Sequence, residues 1–293
     1  MILISLICLI LTTLVIVELS IGFASLAALQ DQRGEPGSAC TVSVIVPACN
    51  EEEKIEAGLR SLAGQDYGLL EIVVVNDRST DGTGEIIERV RRDFPQLIRI
   101  DIEDLPAGWL GKPHALQRGA EAASGDYLLF TDADVVLAET TISRSLTAMR
   151  KKHLDHLSLV FKNSTSGGLL NAIVADIGAG LMWLIKPWRA RIRGSRFFVG
   201  VGAFSMVRAE VYREIGEHEQ GRMQVIDDLF LGKLIKRHGY RQECMDGRGF
   251  VDVPWYCSVN ELIEGLMKNV FAFFSYNFWY MVLGVVALGV VVV

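Results

Sequence analysis

The sequence predicts an α/β fold, a mostly parallel sheet with flanking helices, lying between N-terminal and C-terminal transmembrane helices. Three observations carry this expectation. Short β-branched apolar runs alternate with amphipathic stretches, several of those runs end on polar or acidic residues, and each end of the 293-residue chain is apolar and almost uncharged. Alternating strands and helices give βαβ units and hence parallel strands, whose uninterrupted apolar character reflects helices on both faces.

The N-terminal segment from Ile2 to Leu29 carries one charge, Glu18, and Val270 to Val293 carries none. Both approach or exceed the ~20 apolar residues that cross a bilayer. The first has no positively charged leading region and outruns the ~7 to 15 apolar residues of a secretion signal, so an uncleaved anchor is expected over a cleaved peptide. Glu18 should face a partner helix or lie near the interface. The second segment stops without a polar flank, as in a chain cut short, and the sequence leaves open whether further membrane segments follow Val293. The expected division is an anchor at 1–29, a linker at 30–40, a soluble domain at 41–268 and a second membrane helix at 269–293.

Lys and Arg are dense between the two spans and absent from them. The positive-inside tendency therefore points to a cell (inner) membrane protein whose soluble domain faces the cytoplasm. The cysteines, at 8, 40, 49, 244 and 257, have no CxxC or regular spacing, which indicates neither a disulfide framework nor a zinc site. A net charge of −6 without a basic-aromatic stripe argues against a nucleic-acid partner. Arg189, Arg191, Arg193 and Arg196, beside Trp183 and Trp188, suit either an anionic membrane surface or a solvated loop.

Within the soluble region "TVSVIVPA" reads as a strand and "NEEEKIEAGLRSLAGQ" as a helix capped by Asn50. "LEIVVVND" is a second strand, "GTGEIIERVRRDF" a helix, "LIRIDIED" a third strand, "GKPHALQRGAEAA" a helix and "DYLLFTDADVV" a fourth strand. After Ser143 the pattern loosens. "LLNAIVADIGAGLMWLIKPW" reads as an interfacial helix, an acceptor-facing wall or a core helix, "FFVGVGAFSMVRAEVYREIG" as a strand and helix around a glycine-rich turn, and "VIDDLFLGKLIKRHGY" as a helix opened by two acids.

Ligands of such sheets bind beyond the carboxyl ends of the strands, near a topological switch point. Asn50, Asp77, Asp132 and Asp134 fall there. A D-x-D at a strand end puts two carboxylates in one turn, suited to a hard divalent cation such as Mg²⁺ or Mn²⁺ whose shell a diphosphate completes, although an Asp-rich turn capping the next helix looks the same. Asp77 and Asp81 end another strand, with Asp81 explained by turn and cap chemistry. Lys112 is either a counter-charge for phosphate or a solvated residue in a helix's first turn. Asp227 and Asp228 either complement a helix dipole or supply a general base that accepts a hydroxyl proton.

Together, "VSVIVPACNEE", "IVVVNDRSTDGT", "GWLGKPHAL", "GDYLLFTDADVV" and "VIDDLFLGKLIKRHGY" resemble the inverting family 2 glycosyltransferases with the GT-A (Rossmann-like) fold, across Val42 to Tyr240. The resemblance implies that Pro47 and Glu51 lie in the loop approaching a uridine and that Asp77 reads the base. It also implies that Asp132 is the nucleotide-side acid, Asp134 the metal ligand and Asp228 the catalytic base, with Asp227 where the family commonly has Glu. Cys49 departs from a common Tyr, and the Q-x-x-R-W signature of processive synthases is absent after Asp228. "GWLGKPHAL" and the run from Trp255 and Tyr256 to Lys268 resemble the branch that glycosylates lipids such as carotenoids, hopanoids, ceramide or diacylglycerol, although ordinary interfacial anchoring explains those three residues equally well.

The expected activity is metal-dependent transfer of a single hexose from a nucleotide-sugar donor, a UDP-sugar before a GDP-sugar, to a membrane lipid acceptor. The alternatives are a processive polysaccharide synthase with further membrane helices and a catalytically silent scaffold that binds nucleotide or a partner chain.

Overall fold

The computed structural model describes residues 2–35, 39–164, 167–254, 256, 258–273, 277–280 and 282. The expected second membrane helix at 269–293 lies largely outside these residues, as do Trp255 and the side chain of Lys268. In chain order the elements are α1 (Ile2–Ala24), β1 (Ala27–Ala28), β2 (Val42–Ala48), α2 (Ile55–Ala63), β3 (Leu70–Asp77), α3 (Thr83–Asp93), β4 (Leu97–Ile102), α4 (Gly111–Ala122), β5 (Tyr127–Phe130) and β6 (Val136–Leu137). They continue with α5 (Thr141–Lys152), β7 (His156–Val160), β8 (Lys162–Asn163), α6 (Gly168–Ile185), β9 (Ser205–Arg208), α7 (Ala209–Glu214), α8 (Asp227–Arg237), β10 (Gln242–Asp246), β11 (Val251–Val253) and α9 (Val259–Phe273).

The main sheet runs β1-β10-β7-β9-β5-β2-β3-β4, with β9 antiparallel to both neighbours and every other pair parallel. From β2 the chain winds outward through β3 to β4, then returns to put β5 on the other side of β2. The direction of winding therefore reverses between β2 and β5, and their carboxyl ends frame the crevice. A small sheet, β6-β11-β8, closes one end.

The apolar runs behave as two-faced strands. Ile72 and Val74 of β3 join the core shared with α2 and α3, whereas Val73 and Val75 face Ala115 of α4. All four are fully buried, at roughly 1.5 to 3 kcal/mol per side chain removed from water, which is why β3 shows no alternation of polarity. Pro47 is tolerated because β5 pairs with β2 only as far as Ile45, so beyond that point β2 has one partner strand.

Two elements depart from the expected reading. The strand expected to run through the D-x-D ends at Phe130; Thr131 to Val135 form a turn, held by the Thr131 N–H donating to the Ile45 carbonyl (3.2 Å) and its hydroxyl donating to Ala203 (2.8 Å). The helix expected to open at Asn50 begins at Ile55. Asn50 instead sits in the left-handed region (φ 57°), where its side-chain oxygen accepts from the Thr80 N–H (2.8 Å), tying the loop after β2 to the loop after β3 in place of capping a helix. Asp81 accepts from the Thr83 N–H and hydroxyl and from the Glu52 N–H, which is turn and cap chemistry.

The N-terminal helix is not loosely attached. Ala27–Ala28 pair with Met245–Asp246 at the sheet edge, Leu29 is fully buried, and Arg144 donates to the carbonyls of Gln30 and Gln32. Glu18 faces the far end of α6, accepting from Trp183 Nε1 (3.1 Å), Lys186 and Arg189 (3.2 Å). Trp188 lies so close to Gly22 that a Cβ there would meet its ring at 2.4 Å, so glycine sets the α1 approach.

Candidate active site

The crevice is built from three strand ends, the segment leading into a fourth strand and two helix starts. β2 delivers Pro47 and, past its end, Glu51; β3 delivers Asp77; β5 leads into Asp132 and Asp134. The segment before β9 brings Gly200 and Gly202, α4 begins at Gly111 beside Lys112, and α8 begins at Asp227–Asp228.

Lys112 is the centre of the acid cluster. Its Nζ lies 2.6 Å from Asp132 Oδ1 and 3.6 Å from Asp227 Oδ1, and Lys112, Asp132, Asp227, Asp228, Gly202 and His218 line one cleft. Burial opposes the lysine's charge, but the carboxylates of Asp132, Asp227 and Asp228 raise its pKa above the usual range. Burial pushes the carboxyls of Asp227 and Asp228 up, and Lys112 pulls both back. The Asp228 carboxylate also accepts from the Leu229 N–H (2.8 Å) and from Gly202, which fixes its orientation at the helix start.

On the other side of Asp132, the Asp134 carboxyl is raised by burial and by the charge of Asp132. Glu51 is raised to about 7 by burial first and then by Asp134. Among the described residues Asp134 makes no direct ion pair; the charge of Lys54 offsets Asp134 and Glu51 in part without outweighing their burial. The donors in this half of the crevice are all carboxylate oxygens, and no preformed group of three ligands occurs among the described residues. That set fits a hard divalent cation taken up through one or two carboxylates, with phosphate oxygens and water completing the shell.

Asp77 is 3% exposed and holds Arg78 in a two-pronged contact, with Nε on Oδ1 at 2.7 Å and Nη2 on Oδ2 at 2.9 Å. A Cβ at Gly111 would meet Asp77 Oδ2 at 2.6 Å, which seats the start of α4 directly on this pair. Six of the eight residues singled out in the sequence thus form a continuous acidic arc with Lys112 inside it; Asp77 flanks it through the start of α4, and Pro47 contributes backbone in β2.

Sequence reading missed the parts that set spacing. Gly200 lies against the Asp228 carbonyl, where a Cβ would sit at 1.9 Å, and Gly232 lies against the Val199 carbonyl, where it would sit at 1.8 Å. The buried Gln242 accepts from the Val199 N–H (2.7 Å) and donates to the Gly232 carbonyl (2.8 Å), stitching the segment to α8. A Gly-x-Gly is visible in sequence, whereas nothing near Gln242 marks it. His218 is buried, bonded through Nδ1 to the Tyr212 hydroxyl (2.7 Å), and its pKa falls to about 3 from burial and the Lys112 charge, which keeps it neutral beside the acids.

An open, mostly parallel sheet with one antiparallel strand beside the switch crevice, an Asp-x-Asp turn and a facing acid pair is the GT-A architecture. The chain belongs to glycosyl transferase family 2, whose family model matches residues 43–216. It is similar to 4,4'-diaponeurosporenoate glycosyltransferase of Staphylococcus haemolyticus, 26% identical over 260 residues, covering 82% of this chain and 64% of that one. It is also 24% identical over 238 residues to the protein of the same name from Staphylococcus aureus, covering 78% of this chain and 59% of that one. The chain therefore spans about three-fifths of the length of these relatives. Among solved structures, the mannosyltransferase PcManGT of Pyrobaculum calidifontis, in complex with GDP-Man and Mn²⁺, matches with a TM-score of 0.63 at 22% identity over 91% of this chain and 72% of that one. S. aureus TarS 1-349 matches with a TM-score of 0.53 at 19% identity over 79% of this chain and 65% of that one. At these identities the two structures speak for the fold.

Proposed function

We propose that the chain is a membrane-anchored, cytoplasm-facing inverting glycosyltransferase that moves one sugar from a nucleotide-sugar, a UDP-sugar first, to a membrane lipid hydroxyl. In this reading 41–268 is the catalytic domain, 1–29 an anchor, 30–40 its link and 269–293 a second membrane helix. The observation that carries the proposal is the convergence of Asp132, Asp227 and Asp228, from two distant parts of the chain, on Lys112 at the switch crevice.

The donor's base lies toward Asp77, and its diphosphate lies along the start of α4, where Lys112 and free backbone N–H groups meet negative charge. Asp134, with Asp132 beside it, would hold a divalent cation, Mg²⁺ or Mn²⁺, which would supply charge stabilisation for the departing diphosphate. Asp228 accepts the acceptor's proton as its oxygen forms a bond to the anomeric carbon from the face opposite the leaving group, and the bond to diphosphate breaks. Asp227, 3.6 Å from Lys112, joins Asp132 in holding that lysine near both the nucleophile and the leaving group. A membrane anchor confines enzyme and lipid to one interface and raises their effective concentration.

A second reading follows from the staphylococcal relatives, whose name describes a carboxylate. A carboxylate acceptor is already a nucleophile at neutral pH and makes no demand on Asp228 as a base. Transfer of radiolabelled sugar by the membrane-reconstituted chain, tested against a panel of nucleotide-sugars with lipid extract as acceptor, decides these points. Label extracted into organic solvent supports the proposal, and alkali-labile ester-linked label favours the carboxylate. Insoluble polymer would point to a synthase, and no transfer from any donor to a silent binding protein.

A further inference from the structure

We propose that α6 lies in the plane of the membrane, on anionic lipid, as a second membrane contact beside α1. The inference stands on connectivity and surface chemistry and does not rest on the glycosyl-transfer reading. By length and composition α6 with its following turn could cross a bilayer: Gly168–Arg189 is 22 residues with a mean hydropathy of 1.7, its first half largely exposed and its second half half-buried. A crossing helix, however, must release its two ends on opposite faces. The chain enters α6 from β8, which pairs with β11 only a few residues earlier, and leaves it through the buried Trp188 into Gly200, which lies against Asp228. Both ends therefore belong to one folded unit. An 18-residue helix of about 27 Å, tied down at both ends, runs along that unit's surface.

The helix has two apolar sides with different fates. Leu170, Val174 and Ile177 pack against Tyr256 and against Leu262 and Leu266 of α9. Leu169, 78% exposed, and Ile173, 39% exposed, face outward, and the packed neighbour α9 also exposes apolar residues at every fourth position, Val259, Ile263 and Met267. A bare apolar face alone does not name its occupant; the charges at its end do. Arg191 and Arg193 are exposed and, among the described residues, form no ion pair, and the exposed Ile192 lies between them. Arg189 and Arg196 stack over Phe197, at 5.5 and 5.3 Å, with Arg189 also bonded to Glu18 of α1. An apolar side chain flanked by free guanidinium groups, shortly after the end of an apolar helix, matches acyl chain beneath anionic headgroups.

The test uses the full chain in lipid nanodiscs. Nitroxide labels replace Leu169→Cys, Ile173→Cys and Ile192→Cys in turn, on a background whose native cysteines are changed to serine. Immersion depth is read by spin relaxation with oxygen and a water-soluble nickel chelate. The expected result is one shallow depth, roughly 5–10 Å below the headgroup boundary, for labels at 169 and 173. The 192 label should sit deeper in anionic than in neutral discs, and the R191Q/R193Q variant should abolish that difference. Depth increasing from 169 to 173 toward the bilayer centre would mean a crossing helix. Labels open to the nickel chelate would mean no membrane contact, and labels shielded from both relaxers would mean a second copy or the C-terminal segment covers the face. Any of these outcomes overturns the proposal. A chain that transfers no sugar leaves the label depths unchanged, so failure of the activity reading is separately visible.

Discussion

Gly200→Ala tests whether the spacing of the acid cluster, and not only its composition, matters. The backbone of Gly200 lies outside the left-handed region, so alanine meets no conformational barrier and the only obstacle is space. Its Cβ would sit 1.9 Å from the Asp228 carbonyl oxygen and must retreat to at least 3.0 Å, a displacement of about 1.1 Å between the 199–202 segment and the start of α8. That overpacking costs about 1–3 kcal/mol of stability, or roughly 2–4 °C of Tm per kcal/mol for a domain of this size. Because a misplacement near 1 Å in a reacting group can cost ~10²-fold, turnover should fall by about that factor. Nucleotide affinity should change little, since Asp77 and Asp134 sit on other elements. The assay pairs lipid glycosylation with nucleotide binding by calorimetry, and Gly68→Ala, with nothing within 4 Å of its added Cβ, serves as control. A folded Gly200→Ala protein that keeps turnover within threefold of the parent would refute the argument that this contact sets the position of Asp228.

Asp228→Asn should leave nucleotide binding intact and lower turnover by at least ~10², and more than about a tenth of parental activity would contradict a base role. Asp134→Ala should abolish the dependence of donor affinity on divalent cation, read as the ratio of affinities with and without chelator; an unchanged ratio counts against the assignment. Glu51 gives a pH signature. Its folded pKa, about 7, lies above its ordinary 4.5, so folding takes up a proton, and the stability it contributes is present at low pH and lost as pH rises through that window. The metal-free protein should lose Tm between pH 4.5 and 7 more steeply than Glu51→Gln, and parallel curves for the two would exclude the assignment.

Much of this was legible because strands and turns announce themselves locally. β2, β3, β4 and α3, α4 and α8 fall close to their sequence-read bounds, since each is an apolar run or an amphipathic stretch with its own stop. The acids were legible too, because a carboxylate at a strand end is conspicuous. Hidden were the features that depend on pairing between remote segments. β1, β7 and β10 are short and gain identity only by joining one edge of the sheet, and Gln242 is an ordinary residue until its amide finds Val199 and Gly232. Asn50 looked like a cap because its composition suits one, but the backbone of Thr80, thirty positions on, competed for the same oxygen. The role of Glu18 was half legible: a lone acid in an apolar helix demands a partner, but only the fold supplies Lys186, Trp183 and Arg189.

The join between α1 and the sheet has a mechanical consequence. Only Ser25 and Leu26 separate the helix from the strand Ala27–Ala28, and Leu29, directly after the strand, is locked in the core. Such a joint behaves as a strut and not as a tether: it transmits tilt and sets standoff. With α1 embedded in a bilayer, the reactive edge would be carried at one height above the lipid, selecting acceptors by how far their reactive oxygen protrudes, before any pocket residue has touched them.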